Sequence, residues 1–217
     1  MSFGDLPTFS DDFLEREATQ FLQKHLGPDV PIPVDVELLI ERIEGLDLDW
    51  WPALRQNYGV EGGVWRDADT GELFVYIDEK VMADDSPRGV GRYRTTVAEE
   101  LAHVHLHRDV VARIDRPEEF QQLHNHIVGT RVERNAKRFA AALLMPTDKL
   151  SQEAKTVYRQ LVQRVGTDNP GPVLKWLCSQ LAQKFRVTEA AMNFRLQEMR
   201  VYEDVERALH RGYSNLP

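Results

Sequence analysis

The sequence predicts an α+β protein, mainly helical, with a small antiparallel sheet and further helices toward the C-terminal end. Three observations carry that expectation. Apolar residues recur at helical spacing up to Ile43, and again almost continuously from Arg92 onward. Between these stretches Leu46, Leu48 and Trp50 alternate with acids, and two short strand-like runs flank a turn sequence. The chain order of two helices, strands and then helices keeps the element types apart, as α+β architectures do.

Each element has a local cause. Ser10-Asp11-Asp12 opens the first helix and Gly27-Pro28 closes it, with Leu14, Ala18, Phe21 and Leu22 on one face. Pro31 and Pro33 keep the next stretch extended. Asp35 caps a short helix whose Val36, Leu39, Ile40 and Ile43 face one way, and Gly45 ends it. Gly63–Arg66 and Glu72–Ile77 read as two strands, because Asp67-Ala68-Asp69-Thr70-Gly71 between them has hairpin chemistry. One helix is expected over about 93–108 and another over 117–145, broken near Gly129 so that its second part covers about 130–145. Pro146-Thr147-Asp148 starts a further helix, and Gly166–Pro172 is a loop. Val173–Phe185 and Thr188–Met199 are the last two helices, with Thr188 as a cap. Residues 1–165 then form the main domain and 166–217 a helical extension.

With 217 residues, 42% of them hydrophobic, the chain can bury a core. Lys and Arg number 27 against 35 acids, a net charge of -8, which argues against gripping a phosphate backbone as the main task. The single cysteine, Cys178, excludes an internal disulfide and a cysteine-built zinc cluster. It lies in an apolar helical run, so a buried, inert thiol and a reducing cytoplasm are expected. The acidic N-terminus lacks the features of a signal peptide, and no window approaches the roughly 20 apolar residues of a membrane span.

The segment that points to chemistry is Thr96-Val-Ala-Glu-Glu-Leu-Ala-His-Val-His-Leu-His107. On a helix, Glu99 and His103 lie one turn apart on one face, as do His103 and His107, and Glu100 sits beside the first pair. Two ligands four apart, with a carboxylate next to the first, is the layout of a zincin helix. There both ligands reach one metal and the carboxylate reaches the water it activates. The usual pattern is His-Glu-x-x-His; here Glu99 occupies the first position. The flanks Val97, Ala98, Leu101, Ala102, Val104 and Leu106 make this a half-buried helix. Downstream, Ala136, Phe139, Ala140, Leu143 and Leu144 form an apolar face with Glu133 at its head, a carboxylate that wants a partner.

The two segments resemble the signature of the ImmA/IrrE-type metallopeptidases, approximately Ala-His-Glu-Leu-Gly-His followed by Glu-x-x-Ala-x-x-Phe-Ala-x-x-Leu-Leu-Met-Pro. The second half is matched by Glu133, Ala136, Phe139, Ala140, Leu143, Leu144, Met145 and Pro146. Pro33-Val-Asp-Val-Glu-Leu-Leu is similar to the family's second helix, and Leu181–Leu196 is loosely similar to its tail. The resemblance implies a zincin-like fold and a zinc-dependent endopeptidase that cleaves a helix-turn-helix repressor. Members are cytoplasmic regulators of bacteria, phages and mobile elements. By position it makes Glu100 the general base, His103 and Glu133 metal ligands, and Glu99 the occupant of the remaining ligand position.

That Glu-for-His exchange has a physical consequence. A carboxylate reaches about as far as an imidazole and is a legitimate zinc ligand. With Glu99 and Glu133 both anionic, however, the ligand set neutralises a divalent ion, weakens its polarising power and favours harder ions such as manganese. Without metal, Glu99, Glu100 and Glu133 crowd together and call for a proton or a cation, for example Arg94, Arg131 or Arg134. The competing reading is therefore an impaired pseudo-peptidase that binds a repressor or signal without cutting it. His105 points away from the His103 face and reads as a packed or surface histidine, and His107 as a hydrogen-bonding neighbour or an extension of the ligand set. His124-Asn125-His126 lacks the strand context of a nuclease motif. Trp50-Trp51 packs on the sheet, and the C-terminal helices serve packing or a protein partner more than DNA.

Overall fold

Local chemistry starts the first helices as the sequence predicts. Ser10 Oγ accepts the Phe13 N–H at 3.2 Å and opens α1 (Asp11–Leu26), and Asp11 and Asp12 occupy its first turn, where the helix dipole favours negative charge. Leu14, Ala18, Phe21 and Leu22 are its buried face. Asp35 Oδ1 accepts from the Leu38 N–H at 3.0 Å and opens α2 (Val36–Glu41). The structure is a computed structural model that describes residues 9–67, 70–125, 127–166, 170–212 and 215–216. It consists of two compact units, Met1–Leu144 and Met145–Pro217.

The sheet of the first unit is mixed, where an antiparallel one was expected. β1 (Leu46–Trp51), α3 (Leu54–Tyr58), β2 (Gly62–Arg66) and β3 (Leu73–Asp78) follow in order, and the strands lie β1-β3-β2. β2 and β3 are the antiparallel hairpin, with Val64 opposite Val75, closed by Asp67 Oδ1 accepting from the Thr70 N–H at 2.8 Å. β1 pairs with β3 in parallel. The connection explains it: α3 carries the chain away from the end of β1, so β1 has no hairpin partner and lies along the open side of β3 in the same direction. On the outer side of β1, the N–H groups of Leu48 and Trp50 donate to the carboxylates of Asp47 and Asp49 at 2.9 and 2.7 Å. Trp51 packs edge-on against Trp65 and Tyr76, while Trp50 is 53% exposed.

Helices cover both faces of the sheet. After α4 (Glu79–Met82), the long α5 (Pro87–Leu106) packs against β2 and β3, and α8 (Ile127–Leu144) packs against α5. On the other face α3, α6 (Arg108–Val111) and α7 (Pro117–Asn125) close an apolar cluster that includes Leu54, Trp65, Tyr76, Ile114, Phe120 and Leu123. α5 begins six residues earlier than expected, capped by Ser86 Oγ on the Gly89 N–H with Pro87 at its first position. Gly89 and Gly91 disguise that start, since glycine reads as a helix breaker. The expected break at Gly129 falls instead between α7 and α8, and Gly129 lies in the first turn of α8, where backbone N–H groups lack intrahelical partners anyway.

The second unit holds α9 (Thr147–Val165), α10 (Pro170–Phe185), α11 (Glu189–Glu198) and α12 (Val201–His210). α9, grouped with the main domain in the sequence division at 165/166, packs with α10 and α12. Thr188 caps α11 as predicted, accepting from the Ala191 N–H at 3.1 Å. Arg195, 3% exposed, donates to the Met145 carbonyl and to Thr147 Oγ1 and is an internal tie. Cys178 is buried, and burial pushes its thiol pKa up. Among the described residues no helix is long and apolar enough to cross a membrane.

Candidate metal centre

Small side chains on two helices set the approach that builds the site. α5 carries Ala98 and Ala102 and α8 carries Ala136 and Ala140, each at most 1% exposed. Alanines at a helix contact let the axes come close, within the usual 8–10 Å range or below its middle. α5 then presents Glu100 and His103, and α8 presents Glu133. His103 Nε2 stands 3.3 Å from Glu133 Oε1. Two donors bound to one ion at about 2.0–2.1 Å lie about 3.3 Å apart across a tetrahedral edge, so this pair has the spacing of two ligands as well as of an ion pair. His103 is 2% exposed, and its other nitrogen, Nδ1, has no hydrogen-bond partner.

Glu100 lies between α5 and β2. It is 5% exposed, and its Oε2 has no hydrogen-bond partner. Gly62 of β2 makes room for it: a Cβ there would sit 2.8 Å from Glu100 Oε1 and 2.5 Å from Thr96 Cγ2. Burial above all, then the charges of Glu133 and Glu99, raise the Glu100 pKa well above the carboxylate range. Glu99, a half-buried neighbour, is raised to about 7, chiefly by burial, with Lys137 opposing and Glu133 adding to the shift. The cation beside these acids is Lys137, 4.0 Å from Glu133 Oε2. The expected arginines are engaged elsewhere: Arg94 donates to the Val34 carbonyl at 2.7 Å and Arg134 pairs with Asp11 at 2.6 Å, while Arg131 is exposed.

The donors fit a divalent ion in type, and His103 with Glu133 fit it in spacing. Unpartnered buried atoms on Glu100 and His103 are what a site for a charged group leaves open. As the side chains stand, no three His, Cys, Asp or Glu among the described residues surround one point, so a third donor is not yet in place. His107 is buried at the end of α5, its ring 6.0 Å from that of His103. His105 faces the other way, against Phe21 and Phe139, with Nε2 3.1 Å from Glu17. His126 and the side chain of His124 lie outside the described residues. Gly62, Lys137 and Phe120, whose ring meets His103 edge-on at 6.0 Å, border the site without any sequence signal beyond their own type.

A family model, Peptidase_M78, the IrrE N-terminal-like domain, matches residues 71–197, more than half of the chain. The chain belongs to that family. No curated protein matches it. The M78 match begins at the hairpin turn before β3 and runs through α11, so Glu99, Glu100, His103 and Glu133 all fall inside it. Membership makes this a metallopeptidase-like protein with a mainly helical zincin-like fold and implies a divalent metal.

Proposed function

We propose that this protein is a metal-dependent endopeptidase whose substrate is a helix-turn-helix repressor, acting in the cytoplasm on transcriptional control. The observation that carries the reading is the 3.3 Å approach of His103 on α5 to Glu133 on α8, beside the buried carboxyl of Glu100. His103 and Glu133 hold the ion, zinc or manganese, and Glu99 is the neighbouring carboxylate on α5. When bound, a divalent ion polarises the scissile carbonyl and makes water more acidic.

The chain's own residues supply the rest. Glu100 accepts the proton of the attacking water and passes it to the leaving amine. Its apolar surroundings favour holding that proton, and a nearby divalent charge lowers its pKa so that it can also act as the base. β2 is the strand against Glu100, through Gly62, and supports an extended substrate beside the base. β1 is less suited, because Asp47 and Asp49 already occupy its outward N–H groups.

Glu100→Gln is the direct test. It is expected to abolish cleavage of a helix-turn-helix repressor, read by mass spectrometry, while metal content and melting temperature stay near wild type. Retained cleavage refutes Glu100 as the base. A repressor bound tightly yet left intact by the metal-loaded wild type marks the binding-only pseudo-peptidase.

A further inference from the structure

The stripe of α5 that carries Glu100 and His103 continues one turn to His107. His107 is 3% exposed, and neither of its ring nitrogens has a hydrogen-bond partner. A neutral imidazole has one donor and one acceptor, and a histidine buried for packing normally has at least one of them met. Here the ring is instead stacked on Phe9 at 6.2 Å and tilted toward His103 at 6.0 Å. Two imidazoles sharing one tetrahedral ion at about 2.1 Å have centroids about 5.3 Å apart, so the two rings stand within about 1 Å of the span of a common ion.

We propose that His107, and not Glu99, is the third ligand of the ion held by His103 and Glu133. The proposal rests on the metallopeptidase reading above. His103 and His107 are four apart, the same spacing as Glu99 and His103, so His107 offers a donor on the C-terminal side of His103 where Glu99 offers one on the N-terminal side. Glu100 stands three residues before His103 and stays its neighbour on the helix surface. The backbone supports this placement: the His107 N–H donates to the His103 carbonyl at 2.9 Å and closes the last turn of α5. Two imidazoles and one carboxylate leave the divalent ion a net positive charge, where a set containing both Glu99 and Glu133 neutralises it. The charge that polarises a carbonyl is retained. Glu99, half-buried and under the field of Lys137, then lies beside the site and outside the ligand set.

Cobalt(II) titration of the full-length protein, followed by its visible absorption and by metal analysis, tests this. Wild type and Glu99→Gln are expected to bind one equivalent with the same spectrum. His107→Leu is expected to bind at least tenfold more weakly, with a changed spectrum. Leucine replaces an unpartnered buried ring with an apolar group, so that variant is expected to keep its fold, which circular dichroism and melting verify. His107→Gln, which offers a different donor, is expected to restore part of the affinity with a third spectrum. An unchanged cobalt spectrum and affinity in His107→Leu, with metal lost in Glu99→Gln, overturns the assignment of His107 and leaves the metallopeptidase reading standing. Metal retained in both His103→Ala and Glu133→Gln, or none bound by wild type, overturns the reading beneath it.

Discussion

A carboxyl and an imidazole that burial holds in their neutral forms respond to pH in opposite directions, and this site contains both. Glu99 is raised from 4.5 to about 7, so the fold holds its proton more tightly than the unfolded chain does. Its stabilising share is present below about pH 4.5 and is lost as pH rises through 7. His107 is lowered from 6.5 to about 4 by burial and by His103, so its share is present above pH 6.5 and is lost as pH falls through 4. In protein stripped of metal by a chelator, Glu99→Gln is expected to flatten the fall in melting temperature above pH 4.5. His107→Leu is expected to flatten the fall below 6.5, and melting curves across pH 4–8 check both. Glu99, Glu100 and His103 of α5 are legible as neighbours in the sequence because helical spacing alone sets them side by side. Glu133 is legible only as the head of an apolar stripe. Lys137 and Gly62 are not legible, since their relation to the site depends on how α5, α8 and β2 pack.

At the scale of elements, the position of Glu100 depends on a strand that comes unusually near a helix. Gly62→Ala puts a Cβ into Thr96 and Glu100, and a loss of about 1–3 kcal/mol in denaturant unfolding is expected for such overpacking. The same variant is expected to lower activity more than its stability loss explains, because the displaced atom belongs to the base. Phe120 lines the opposite side of β2, close to the position a Gly63 Cβ would take, and packs on Trp65. Glycines at 62 and 63 thus let β2 fit between α5 and α7. Sequence patterning finds β2 and β3 because turn chemistry and alternation mark a hairpin. It does not find the parallel pairing of β1, because alternation records which face a residue takes and not the direction of its neighbour strand. α12, whose buried Val201, Val205, Ala208 and Leu209 keep helical spacing, lies beyond the last helix read from the sequence; it follows Arg200 in a left-handed conformation, which hides its start.

At the scale of the whole molecule, a net charge of -8 sets what the protein meets at distance. No mobility shift with duplex DNA is expected even at low salt, and a shift that weakens steeply as salt rises contradicts that. The M78 match at 71–197 spans the boundary between the two compact units, so the family's sequence signature and the molecule's packing units are different divisions of the chain. The outer rim of β1 has a consequence for the molecule among its own copies. A sheet border with an exposed tryptophan would ordinarily invite a second chain to add itself strand by strand, the first step toward a fibre. Asp47 and Asp49 fold back to fill those amide contacts and place negative charge along the border, so each molecule repels its twin where it would otherwise stick.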